Sequence, residues 1–399
     1  MIQLDLVNTV ACAGGALLLG EATRRRARVL SRQAVPGPVV GGLLVATGVT
    51  ALRALGHPIA FDTSLQSPLM VAFFTAIGFG ASLPVLRRGG PAVALLLAIA
   101  TAVGAVQNLV GVGLARALGA PPLLGVIAGS LTLMGGPATG LAFAPLFEQA
   151  GVPGAATLAV ASAMVGIVAG GLVGGPIGTW LVERQRRAPA RDGGRMDAGT
   201  APVPAAAHAA ETSGARGLVE SLVVLLAAMA AGSWVSGGLA RLGLTLPSYV
   251  GAMMAAAAIR NASDWTGRLR LPHHRLDELG SAALALFIAM ALMTLKLWEL
   301  ASLAAPMAVI LAVQVAVTAA LSVWPTYRLM GRDYDAAVTA SGFCGFMLGT
   351  TANAMANLGA LTDRHGPAPR AYLVVPMVGA FFVDFTNALL VTACLGLLR

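Results

Sequence analysis

Charge is scarce in this 399-residue chain: Asp, Glu, Lys and Arg make up 11% of it, against about 25% in a soluble domain. With 57% hydrophobic residues and a mean hydropathy of +0.79, that deficit excludes a water-soluble globule. Cysteine is rare as well. Cys12, Cys344 and Cys394 are scattered in apolar surroundings, which excludes a disulfide framework and reads as buried free thiols. There is no CxxC and no Cys/His cluster, and His273 and His274 lack thiol or carboxylate neighbours at ligand spacing, so a metal centre is not expected. HExxH, Walker and GxSxG motifs are absent, so hydrolytic and ATP-driven chemistry lack a signature and the chain reads as a non-enzyme. A cleavable leader is not expected either, because Asp5 precedes the first apolar run and the arginines follow it.

What the chain does have is apolar length. Crossing a bilayer takes about 20 apolar residues per helix. Ten stretches approach or reach this: 6–19, 35–49, 68–86, 91–114, 157–182, 218–239, 247–259, 281–297, 303–323 and 371–398. A net charge of +9 would suggest nucleic acid in a soluble protein; here loop asymmetry accounts for it. With the N-terminus outside, every Lys and Arg falls on the inner side except Arg53, Arg116, Arg241, Lys296 and Arg399. Both termini are then external, as an even number of spans requires.

Residues 184–217 break the pattern with RQRRAPARDGG and an Ala/Pro run, and read as a flexible cytoplasmic linker. The flanks of this linker resemble each other. Pro36-x-x-Val39 recurs as Pro247-x-x-Val250, Val106-Gln107 as Val313-Gln314, and Met164-Val165-Gly166 as Met377-Val378-Gly379. Shared order and near-constant offset indicate a duplication. Five spans per half force the second half to enter the membrane inverted, the plan of many secondary carriers. The expected organisation is an N-terminal repeat (1–183), the linker (184–217) and a C-terminal repeat (218–399).

Each half also carries an uncharged segment rich in glycine, hydroxyls and amides after its fourth span, at 129–144 and 340–357. The first holds Gly135-Gly136-Pro137; the second strings Gly342, Gly345 and Gly349 ahead of Thr350, Thr351 and Asn353. Irregular backbone at membrane depth is tolerated only inside protein or beside a water-filled cavity. We therefore expect two re-entrant hairpins, at about 122–147 and 336–360, with Pro137 and the glycines breaking the helices; two ordinary helices with small residues for close packing are the alternative. Free N–H groups at half-helix starts attract anions, and unwound carbonyls ligate sodium. Ser130, Thr132, Gly135, Gly136, Thr139, Thr350, Thr351 and Asn353 are substrate-site candidates. Ser341, Gly349 and Asn357 are sodium candidates.

Asp384 belongs to both sets. It lies 13 residues into the last apolar stretch, roughly 20 Å along a helix, and an intramembrane acid usually faces a partner or a pathway. It is suited to a substrate ammonium or a cation, or to a structural salt bridge with a residue such as Lys296. Asn387 shares its helix face. Gln107 and Asn108 lie within the fourth span, where packing and transport account for them equally well.

Several long runs carry a family resemblance: Ser67-Pro68-Leu69-Met70, Gln107-Asn108, Ala128-Gly129-Ser130-Leu131-Thr132-Leu133, Ala289-Met290-Ala291-Leu292-Met293, Lys296-Leu297-Trp298-Glu299-Leu300-Ala301-Ser302-Leu303, and Val374-Val375-Pro376-Met377-Val378-Gly379-Ala380-Phe381-Phe382. Along nearly its full length, apart from the linker, the chain resembles the bacterial sodium/glutamate symporters. Both tips depart from the family pattern: Met134-Gly135-Gly136-Pro137 and Cys344-Gly345-Phe346-Met347 lack a histidine and a glycine that the family carries. Thr139, Thr351, Asn357, Asp384 and Asn387 fit it. The resemblance implies sodium-coupled uptake of L-glutamate across the bacterial inner membrane, with sodium as coupling ion, no further cofactor, no nucleic acid, a homodimer in the lipid bilayer and an elevator-like transport core. The fold class it and the spans imply is an all-α integral membrane protein, with ten transmembrane helices in two inverted five-helix repeats. A carrier of another small organic anion, and a passive channel or non-transporting sensor, are the alternatives.

Overall fold

The computed structural model describes residues 2–27, 36–88, 90–187, 215–241, 248–267, 271–295 and 303–398. Among these the chain is helical, apart from two short parallel strands, β1 (Ile2–Leu4) and β2 (Ile59–Phe61). The helices run α1 (Leu6–Arg26), α2 (Gly37–Ala54), α3 (Gln66–Gly80), α4 (Leu83–Arg88), α5 (Gly90–Ala117), α6 (Pro122–Val126, continued by a π-helical turn at Ile127–Leu131), α7 (Gly136–Gln149) and α8 (Ala155–Arg187). They continue with α9 (Ala215–Arg241), α10 (Ser248–Thr266), α11 (His273–Met293), α12 (Ala304–Leu321), α13 (Tyr327–Leu329), α14 (Tyr334–Leu348), α15 (Thr351–His365), α16 (Pro369–Met377) and α17 (Val383–Leu398).

Seven described helices are long and apolar enough to cross a membrane: α1, α2, α5, α8, α9, α11 and α12, the last running on through α13. An eighth crossing is available if α16 and α17, bent by 42° at a π-helical turn (Val378–Phe382), act as one span. The other two apolar stretches are helices of different character. At 15 residues, α3 reaches only about 22 Å, and α10 carries Arg260 and Asp264 as an i,i+4 pair at 3.0 Å. Most of the proposed linker lies outside the described residues.

Local signals set the ends of several helices. Asp5 caps α1 by accepting the Asn8 N–H at 2.8 Å, and Asp333 caps α14 through the Ala336 N–H at 2.7 Å. In each case a side-chain carboxylate satisfies an N–H that the first turn leaves unpaired. Arg24 and Arg25 close α1 by pairing back to Glu21.

The helices form two groups that do not follow chain order. Helices α1, α2, α3, α9, α10 and α11 pack together; α5, α6, α7, α8, α12 and α14–α17 form the second group. Each group thus takes helices from both halves of the sequence. The groups meet along a narrow seam, where Phe74 of α3 stacks on Tyr249 of α10 at 4.2 Å and Phe143 of α7 meets that tyrosine edge-on at 5.7 Å. Beside these, Ala138 and Leu141 of α7 pack into one apolar cluster with Phe287, Ile288 and Ala291 of α11.

Candidate functional site

Both glycine-rich segments interrupt their helices. In the first, Gly129 leaves helical geometry (φ −107°, ψ −136°) inside the π-helical turn. The chain then turns at Met134-Gly135, and α7 starts at Gly136 with φ +68°, a left-handed conformation that glycine adopts without steric penalty. In the second, α14 stops at Leu348, Gly349 and Thr350 are non-helical, and α15 starts at Thr351. Helices α14 and α15 pack against each other.

Three features differ from the sequence expectation. Gly342 and Gly345 stay inside α14. They admit neighbours: Leu358 and Val375 press on Gly342, and Ala354 and Asn357 on Gly345. Pro137 begins a helix instead of breaking one, since it sits in the first turn of α7, where a missing N–H costs nothing.

The two tips touch. A methyl group built on Gly136 would lie 3.9 Å from both the Gly349 carbonyl oxygen and Thr350 Cγ2. They close one side of a cavity of about 380 Å³, to which Met134, Gly135, Gly136, Gly349, Thr350 and Thr351 all contribute. Asp384 and Gly379, from the last bent span, form its floor. The opposite wall comes from the other helix group: Pro36 and Pro38, Phe73, and Ser281, Leu284, Ala285 and Ile288 of α11. Asp384 is the one charged residue among the described residues that line it. The proposed salt bridge to Lys296 falls outside the described residues.

Two helix starts, those of α7 and α15, therefore line one cavity, and the first turn of a helix leaves N–H groups unpaired. Pro137 removes one donor from α7, while Thr350 and Thr351 add hydroxyls beside α15. The arrangement offers anion-binding backbone from two sides and one carboxylate for positive charge.

The remaining candidates lie behind this surface. Ser130 and Asn387 are buried and lock together: the Ser130 hydroxyl donates to Asn387 Oδ1 at 2.7 Å, and Asn387 Nδ2 donates to the Ser130 carbonyl at 2.9 Å. Thr132 donates to Ile127 O at 2.6 Å inside the π-helical turn. Thr139 is buried against Gly135. In the second segment, Thr350 donates to Asn353 Oδ1 at 2.9 Å, and Asn353 Nδ2 to Ile167 O at 2.7 Å. The Ser341 hydroxyl donates to Gly174 O at 2.8 Å, and Asn357 Nδ2 to Gly170 O at 3.1 Å. These donors need close approach of α8, which presents Gly166, Gly170, Gly174 and Gly178 along that face. Of the sodium candidates, only Gly349 and Asp384 reach the cavity.

The sodium/glutamate symporter family model matches residues 2–367. The chain belongs to the sodium/glutamate symporter family. A sodium/glutamate symporter of Escherichia coli K12 is 41% identical over 396 residues, covering 98% of this chain and 97% of its own length. The Haemophilus influenzae Rd sodium/glutamate symporter is 39% identical over 384 residues, covering 96% and 95%. This member of the family is accordingly a multi-pass membrane transporter and not an enzyme. Sequence reasoning missed the second wall of its cavity: Pro36, Pro38, Phe73, Leu284, Ala285 and Ile288 are apolar residues on apolar helices, and Ser281 alone offers a hydroxyl there.

Proposed function

We propose that this protein is a secondary active transporter that couples sodium entry to uptake of L-glutamate across the bacterial inner membrane by alternating access. The observation that carries the reading is the convergence of two broken segments, each with a helix start at its tip, on a cavity whose one charged lining residue among the described residues is Asp384. The substrate carboxylates face the N–H groups at Gly136 and Thr351 and the hydroxyl of Thr351. The ammonium and a sodium ion face Asp384. Ser130, Thr132, Thr139, Asn353 and Asn387 hold the tips; Ser341 and Asn357 hold the second segment to α8.

Charge arithmetic favours coupling. Glutamate carries −1, the cavity adds the carboxylate of Asp384, and like charges repel in a low-dielectric site. Moving one charge against 100 mV costs roughly 2.3 kcal/mol. One sodium cancels the substrate charge, and a second lets the voltage drive uptake, so two per glutamate is the expected ratio.

In this reading the ten spans form two inverted five-helix repeats, each with a re-entrant hairpin, and the protein is a homodimer with both termini periplasmic. The cavity then opens towards the cytoplasm, since Pro36 and Pro38 follow the arginine-rich loop. The assay is uptake into proteoliposomes. An inward sodium gradient raises internal glutamate above the external level, and replacing sodium by choline abolishes this. Equilibration without accumulation would indicate a passive channel, and accumulation of a different organic anion would correct the substrate.

A further inference from the structure

Two neighbouring residues of α5 reach different tips. The Asn108 Oδ1 accepts the Ser130 N–H at 3.0 Å, at the break in the first segment. The Gln107 Nε2 donates to the Met347 carbonyl at 3.0 Å, two residues before Gly349 at the break in the second. Successive helix positions point about 100° apart, so one straight helix can address both segments at once. Gln107 is itself anchored on α12: its Nε2 also donates to Thr318 Oγ1 at 3.0 Å, and its carbonyl accepts Gln314 Nε2 at 2.5 Å. All four side chains are buried, none more than 2% exposed.

The atoms used are asymmetric. Gln107 works through its nitrogen and leaves Oε1 without a partner; Asn108 works through its oxygen and leaves Nδ2 without one. Two orphaned buried polar atoms each carry a desolvation penalty, offset here by the bonds that the same two amides make to the broken segments and to α12. We propose that Gln107 and Asn108 are positioning residues for transport: together they fix the two tips relative to each other, so that the cavity surface from Gly135 to Pro137 and from Gly349 to Thr351 is set before solute arrives. This rests on the transport reading. Pre-set geometry appears as affinity, because the solute does not have to order the tips on binding.

The test uses full-length protein in proteoliposomes, beginning with sodium-driven glutamate uptake by the wild type. Absence of wild-type uptake sinks the transport reading, and a second, transport-independent arm then judges the positioning role alone. Gln107→Met and Asn108→Leu remove the bonds at similar volume. Each is expected to raise the KM for glutamate about tenfold, the equivalent of one lost buried hydrogen bond, with maximal rate per transporter within about twofold. Asn108→Asp keeps the acceptor oxygen and discards the unused Nδ2, so its KM stays within about threefold of wild type. The second arm places spin labels at Ala138→Cys and Ala352→Cys, both on the cavity wall, after Cys12, Cys344 and Cys394 are replaced by serine. The tip-to-tip distance distribution broadens in Gln107→Met and Asn108→Leu, and keeps its width in Asn108→Asp. Unchanged KM and unchanged widths in the first two variants overturn the proposal. So does an Asn108→Asp variant as impaired as Asn108→Leu.

Discussion

The reciprocal pair between Ser130 and Asn387 offers the sharpest energetic test of how the first tip is held. Both residues are fully buried, and two bonds join them, at 2.7 and 2.9 Å. Asn387→Ala removes both and strands the Ser130 hydroxyl, while the Ser130 carbonyl keeps the Met134 and Gly135 N–H groups, at a cost of about 3 kcal/mol. Ser130→Ala removes only the hydroxyl bond, at about 1 kcal/mol. Once Asn387 has been truncated, Ser130→Ala has nothing left to lose, so the double variant should match Asn387→Ala alone. The coupling in the cycle is then about 1 kcal/mol. Thermal unfolding of the detergent-purified protein reads this directly, at about 2 °C per kcal/mol for a chain of this size. Asn387→Ala should lower the midpoint by about 6 °C, Ser130→Ala by about 2 °C, and the pair by about 6 °C. A double variant that falls by the sum of the two would show that the residues act independently and that the lock has been misread.

Other outcomes follow from the same geometry. Asp384→Asn removes the charge from the cavity and should raise the sodium concentration for half-maximal uptake at least about tenfold; unchanged sodium dependence takes Asp384 out of the ion site. Gly136→Ala meets only ordinary van der Waals contacts, at 3.9 Å, but a left-handed backbone, so it should cost about 1 kcal/mol of stability, and Gly136→Asn less, because asparagine visits that region more readily. Gly174→Ala drives a methyl group into the Asn357 amide and should abolish uptake while Gly175→Ala, which meets nothing within 4 Å, leaves it intact. Thr132→Val should leave the glutamate KM within about twofold, since the hydroxyl is spent on Ile127 O and a single such bond on a partly satisfied carbonyl is worth little.

The sequence exposed the tips because membrane-buried glycine, hydroxyl and amide clusters are expensive without a reason. It exposed Asp384 on the same ground, and the residue lines the cavity. Gln107 and Gln314, matched by position in the two halves, meet at 2.5 Å. What remained illegible was division of labour. Ser341, Asn353 and Asn357 are ligand candidates in the sequence; that their donors go to carbonyls of α8 is revealed only by three-dimensional approach. Glycine is ambiguous for a similar reason. Gly349 ends a helix, while Gly342 and Gly345, a few residues earlier, lie within it and make room for another. The apolar wall opposite the tips left no pattern, because a residue facing a cavity and a residue facing lipid can be the same leucine.

The glycines also constrain how such a chain can drift. Where α5 crosses α6, Gly111 and Gly125 press backbone on backbone, and a methyl group added to either would overlap main-chain atoms of the other. Neither partner can shrink further, so no second change rescues a first. Gly342 is different. What it would strike is the end of Leu358 and the methyls of Val375, and shorter residues at 358 and 375 reopen the space. One crossing is frozen against mutation, while the other can be traded through a compensating pair.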